Sequence, residues 1–165
     1  MTTEIERVEF NDRIEYRLNG KRHRIDGPAV EWVNGIKEWY INDKRHREDG
    51  PAYEKTNGTK SWYINDKLHR LNGPAREFEN GDKEWYFNGQ LHRIDGPAVE
   101  YADGTKTWWI NGKRHRTDGP AIELTNGFNT WYLKNKKVSK KEVDEFRCQL
   151  LLKSMVLNRR SYKYF

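Results

Sequence analysis

The chain has 165 residues, enough for one domain, yet 35% are hydrophobic and 34% charged, which argues against a thick two-layer core. Its apolar mass is largely aromatic, with seven Trp, nine Tyr and six Phe, so an ordered but thin structure is expected. The single cysteine, Cys148, excludes an intrachain disulfide framework, and the net charge of +6 raises the question of an acidic partner.

From the N-terminus, MTTEIERVEF lacks the apolar stretch of a secretory leader, and the longest apolar run, Leu150-Leu151-Leu152, is far too short for a membrane span. We therefore expect a cytoplasmic protein with no membrane insertion, in which Asn57-Gly58-Thr59 is a plain turn rather than a glycan site. The next feature is KRHRIDGPAV, beginning at Lys21. Its His-Arg pair and Gly-Pro-Ala segment return with His46, His69, His92 and His115, every 23 residues without insertion. All five histidines and all five prolines lie in this motif. A fixed period of this kind marks an array in which one unit cannot bury its apolar face alone. Counting back from His23, Tyr16 falls where Trp39 stands and Asn11-Asp12 falls on a turn. Residues 1–22 thus read as a degenerate N-terminal capping repeat, and residues 23–137 as five full repeats.

Two turn signals divide each repeat. The first is Asn34-Gly35, with Asn57-Gly58, Asn80-Gly81, Asp103-Gly104 and Asn126-Gly127 in register, and it suggests a two-residue type I′ hairpin. The second is Asn42-Asp43, Asn65-Asp66, Asn88-Gly89 and Asn111-Gly112, leading into the histidine loop. Between them lie short strands such as PAVEY and KTWWI, the proline taking the first strand position, where a missing N–H does least harm. Pairing across a two-residue turn places Lys37 opposite Trp32, Lys83 opposite Phe78 and Lys106 opposite Tyr101, a geometry suited to cation–π contact.

After His115 the pattern decays to WYLKNKKV and then changes type. Ser139 followed by Glu142 is a capping box, and Val143, Phe146, Leu150 and Leu157, with Leu151 and Met155 beside them, give a helical apolar stripe. Residues 138–165 thus read as a C-terminal capping helix with a basic-aromatic tail, LNRRSYKYF.

The string WWINGKRHRTDGPAIELTNG resembles a MORN repeat, which shares the 23-residue period, an aromatic-x-Asn-Gly-Lys-x-His core and an Asx-Gly turn about a dozen residues on. The resemblance covers roughly residues 1–137. It departs from the family where Arg-x-Asp-Gly-Pro-Ala follows the histidine in place of Gly-x-Gly, a variant similar to repeats of phage, giant-virus and bacterial proteins. It implies an all-β fold: an elongated single-layer sheet of about six stacked 23-residue hairpin repeats, closed by one C-terminal α-helix. It also implies a binding or scaffolding surface, with catalysis left to other domains.

The His-Arg ladder has two readings. As an anion grip, Arg47, Arg70 and Arg93 would take phosphate or carboxylate with His46, His69 and His92 donating beside them. As a joint, each arginine would pair with Asp26, Asp49, Asp95 or Glu31 or their equivalents while the histidine packs on a Trp. We favour the joint, because a residue kept in every unit serves what every unit shares; Asn72, replacing the Asp in one unit, shows that the acid is dispensable. Successive histidines stand about 10 Å apart, too far to share a zinc ion, so no metal or other cofactor is expected. HRID and HRED are similar to a kinase His-Arg-Asp, but no glycine-rich loop accompanies them, and five copies of one site are unlike an enzyme. No catalytic residue is therefore assigned.

Residues 138–165 hold seven Lys or Arg against three acids, leaving +2 on residues 1–137, so the array is nearly balanced. The expected function is a non-enzymatic binding protein that grips a protein partner, such as a viral or bacterial inhibitor, immunity or scaffold protein, in the host cytoplasm if viral. Specificity is expected at the positions that vary between units: Trp32, Lys55, Phe78, Tyr101 and Leu124, with Val30, Tyr53, Arg76, Val99 and Ile122 beside them. A nucleotide or nucleic acid held by the Arg, His and aromatic groups is the alternative. Exposed sheet edges or one face also admit self-association.

Overall fold

The computed structural model describes residues 4–161, with side chains through Met155. It is all-β apart from one helix, Lys140–Ser161. A fourteen-stranded antiparallel sheet runs through the array, starting with Glu6–Glu9 and Arg13–Leu18 and ending with Asn129–Leu133 and Lys136–Val138. Each repeat contributes one hairpin to it, Val30–Trp32 with Lys37–Glu38 in the first full unit. The chain then leaves at Trp39 and builds a smaller two-stranded ladder, Tyr40–Ile41 with Lys44–Arg45, before the His-Arg loop. KTWWI is therefore not one strand: Lys106–Thr107 belongs to the large sheet and Trp109–Ile110 to a small ladder. Trp108 links the two, sending its N–H to the Ala121 carbonyl and receiving the His115 N–H on its own carbonyl.

The two turns exchange the roles expected of them. Asn42 and Asp43 both have positive φ, 52° and 65°, as do Asn111 and Gly112, so the second turn is the type I′ hairpin. At the first turn only the glycine, such as Gly35 at 82°, is left-handed. There Trp32 N–H bonds the Ile36 carbonyl and Gly35 N–H the Trp32 carbonyl, which makes a three-residue loop with a glycine bulge. The added residue shifts the register by one position. Lys37 therefore faces Glu31, Lys83 faces Glu77 and Lys106 faces Glu100, and the expected lysine–aromatic pairs do not form. A slip of one residue moves a side chain to the opposite face.

With so little apolar mass the core is a thin seam. Ala29, Ala52, Ala75, Ala98 and Ala121 are fully buried at successive strand starts, with Val30, Val99 and Tyr40 beside some of them. The helix begins as expected: Ser139 Oγ accepts the Glu142 N–H, and Glu142 accepts the Ser139 N–H in return. Its hold on the array is short. Val143 is 2% exposed and the Phe146 ring meets His115 edge-on at 6.4 Å, but Leu150, Leu151, Leu152 and Met155 all face solvent. The expected closure is thus made by the first two turns alone. The side chain of Leu157 and the tail beyond it lie outside the described residues.

Candidate binding surface

The His-Arg motif is fully engaged inside the array. Arg47 donates from Nε to Asp49 at 2.9 Å and from Nη1 to the Pro51 carbonyl at 3.3 Å and to Glu54 at 3.4 Å, while its guanidinium lies 4.2 Å from the Trp39 ring of the preceding unit. Arg93 repeats this with Asp95, Pro97, Glu100 and Trp85. Arg70, whose unit has Asn72, keeps the Pro74 carbonyl at 3.0 Å, Glu77 at 2.9 Å and Trp62 at 3.8 Å. The arginines hold the carboxyls of Asp49 and Asp95 below their ordinary range through these hydrogen bonds. The glycine of the motif has a steric purpose: a Cβ on Gly50, Gly96 or Gly119 would lie 2.7–2.9 Å from the guanidinium carbon. Each arginine is thus seated between a bare backbone and an indole ring.

The histidines reach forward instead of packing on a Trp. His46 Nδ1 meets Asn65 Oδ1 at 3.1 Å, His69 Nδ1 both meets Asn88 Oδ1 and receives the Asn88 N–H, and His92 Nδ1 receives the Asn111 N–H at 3.1 Å. Their aromatic neighbour in this region is Phe87, 4.8 Å from His69 and 5.9 Å from His92. Burial, with Lys134 adding to it, depresses the His115 value, and His115 accepts the Lys134 N–H in the same way.

The variable positions share the opposite face. Trp32, Tyr53, Arg76, Phe78 and Tyr101 stand on the side of Val30 and Glu38, because Val30 pairs with Glu38 and side chains alternate along each strand. On this face Glu38, 5% exposed, accepts from Trp32 Nε1 at 2.8 Å, Tyr40 Oη at 2.7 Å and Arg45 at 2.7 Å. Burial pushes its carboxyl up, but those three donors outweigh it and hold the group below the ordinary carboxylate range. Burial and the Glu38 bond push the Tyr40 phenol up to about 12. Arg45 also lies within 5.6–5.7 Å of the Tyr40, Tyr53 and Tyr63 rings. Further along, Arg76 sits 4.5 Å over Phe78 with Glu84 at 3.3 Å, and Arg114 sits 4.9 Å over Trp109 and 5.6 Å from Tyr132.

Five of the expected binding residues are therefore gathered on one face, and the other six, His46, His69, His92, Arg47, Arg70 and Arg93, are taken up in the joints between units. Tyr101, 44% exposed, and Leu124 offer apolar surface on the gathered face. Sequence reasoning missed Glu38, Tyr40, Arg45 and Arg114 as members of it. Their signal was the glycine bulge, which fixes the alternation that brings them round. Among the described residues no group of three or more His, Cys, Asp or Glu is placed to hold a metal ion, and no helix is long and apolar enough to cross a membrane. No protein-family model matches the chain, and no curated protein matches it.

Proposed function

We propose that the chain is a non-enzymatic repeat protein of the MORN type whose variable sheet face binds a protein partner, in the manner of a viral or bacterial inhibitor, immunity or scaffold protein. One observation carries this reading. The residues common to all units are consumed in contacts within each unit and with the preceding one, while those that differ between units line the other face beside a row of arginines and aromatic rings. Repeat proteins bind through such extended surfaces, with aromatic and arginine anchors dominating the energy. The alternative, a nucleotide held by Arg47, Arg70, Arg93 and their histidines, draws less support because those donors are already bonded.

The test is capture from the natural host cell followed by mass spectrometry, using wild type and two double variants. Phe78→Ala with Tyr101→Ala should lose the captured protein, and Lys37→Ala with Lys60→Ala on the other face should keep it. A nucleotide recovered without protein, or a partner retained by the first variant and lost by the second, would overturn the reading.

A further inference from the structure

Three arginines occupy the last strand position of a unit on the variable face: Arg22, Arg45 and Arg114. Two of them are matched by a carboxylate. Arg22 bonds Asp43 of the next turn at 2.8 Å, and Arg45 bonds Glu38 of its own hairpin at 2.7 Å. At Arg114 both of these acids are replaced. Thr107 stands where Glu38 stands in the first full unit, and Asn135 stands where Asp43 stands in the turn. The Arg114 backbone N–H still bonds Asn135 Oδ1 at 2.7 Å, as the Arg22 backbone N–H bonds Asp43, but the side chain meets no carboxylate among the described residues. Its Nε, like that of the Glu84-bonded Arg76, is shielded from solvent with no acceptor.

The surroundings keep this cation in place without neutralising it. The Trp109 ring, its Nε1 fixed by Thr107 Oγ1 at 2.7 Å, lies 4.9 Å from the guanidinium and the Tyr132 ring 5.6 Å from it. Lys137, cross-strand from Tyr132 and exposed, adds a second positive charge in the same column one unit on. A half-buried guanidinium between aromatic rings holds a strong field because water screens it poorly.

We propose that Arg114, framed by Trp109, Tyr132 and Thr107, is a receptor site for a carboxylate carried by an acidic segment of the protein partner. The proposal deepens the function given above and rests on it. The occupant is chosen from within the molecule: in the first unit the equivalent arginine holds Glu38, so the geometry of this face is already cut for a carboxylate. The incoming Asp or Glu would supply in trans the acid that the fourth and fifth units lack, while Lys137 takes a neighbouring acidic residue of the same segment. Paired guanidinium and carboxylate groups give both orientation and a salt-dependent association.

The experiment is a titration of the full chain with an acetylated hexaglutamate peptide, followed through the Trp109 indole N–H signal in a nitrogen–proton correlation spectrum. Inorganic phosphate and a single-stranded oligothymidylate serve as separate arms. The peptide should shift the Trp109 signal, and its affinity should fall at least tenfold in Arg114→Gln. The same fall is expected in Thr107→Glu, which restores the internal acid, with melting no lower than wild type. If Thr107→Glu misfolds, Arg114→Gln with a retained melting transition decides alone. Equal peptide binding by wild type and Arg114→Gln, or no binding at low salt, would overturn the proposal. So would a stronger Arg114-dependent response to phosphate or oligonucleotide than to the peptide. A wild-type chain that ignores the peptide but still captures a protein through Phe78 and Tyr101 would sink this site and leave the broader function standing.

Discussion

If the glycine of the His-Arg motif exists to seat an arginine, Gly119 and Arg116 must be energetically coupled. Arg116, 18% exposed in its side chain, donates to Glu123 at 2.6 Å, Asp118 at 2.9 Å and the Pro120 carbonyl at 3.1 Å, and stacks 3.9 Å from Trp108. A Cβ on Gly119 would lie 2.7 Å from the guanidinium carbon, so the group must lift from its seat and lose much of that set. Hydrogen bonds to charged groups contribute about 1.5–3 kcal/mol and a cation–π contact about 0.5–2 kcal/mol. Arg116→Ala should therefore destabilise by roughly 2–4 kcal/mol, and Gly119→Ala by roughly 1–3 kcal/mol. The φ of Gly119 lies outside the left-handed region, so alanine meets no backbone strain there. Once the arginine is gone, Gly119→Ala should be neutral or stabilise by about 0.4–1 kcal/mol through the unfolded chain. Urea denaturation of the two single variants and the double variant, read by far-ultraviolet circular dichroism, closes the cycle. Costs that add to within about 0.5 kcal/mol would refute the seat.

Glu38→Ala should leave Trp32, Tyr40 and Arg45 without their shared acceptor and cost about 3–5 kcal/mol in the same assay; a loss below about 1 kcal/mol would show that the cluster is not a unit. Acid should weaken the fold in two stages. Because the His115 value is depressed from 6.5, its contribution is complete above that pH and is lost as pH falls through the lower folded value. Glu38, also depressed, follows below its ordinary 4.5; His115→Gln should flatten the first stage and spare the second, as pH-dependent melting would show. Val143→Ala should cost roughly 1–2 kcal/mol, whereas Leu151→Ala, on the solvent side, should leave the denaturation midpoint unchanged. Thirteen strands along the sheet at about 4.8 Å each give a rod of about 60 Å, and small-angle scattering from a compact sphere would contradict it.

The period, one hairpin per unit and the terminal helix were legible because glycine, proline and the capping box announce themselves at fixed spacing; the second ladder of each unit was not. The register was not. Asn34-Gly35 and Asn42-Asp43 look alike as turn signals, and only the backbone decides which of them has two left-handed residues and which has a bulge. That single choice moved Lys37, Lys83 and Lys106 from the aromatic rings to the glutamates. The joint reading of Arg47, Arg70 and Arg93 was legible from repetition; Asp49 and Asp95 were named as partners of Arg47 and Arg93, whereas Glu54, Glu77 and Glu100 were not named individually. The forward reach of the histidines was not, because a contact such as His46 with Asn65 joins the two ends of one unit, nineteen residues apart, and depends on how that unit folds back on itself. That the Arg114 side chain meets no carboxylate among the described residues was hidden too: Thr107 and Asn135 are unremarkable residues until the fold shows which acids they stand in for.

Every unit in this array reaches one unit forward with the backbone carbonyl of its last residue and one unit back with its arginine, and the groups it meets are nearly the same wherever it stands. Length is therefore an open variable for the gene. An in-frame duplication or loss of one repeat by unequal recombination leaves every remaining joint matched, so copy number can drift without passing through an unfolded ancestor. What such an event does change is the order of letters on the variable face. If that face binds a partner as proposed, whole columns of it can be reshuffled in single steps, without waiting for point substitutions to rebuild them.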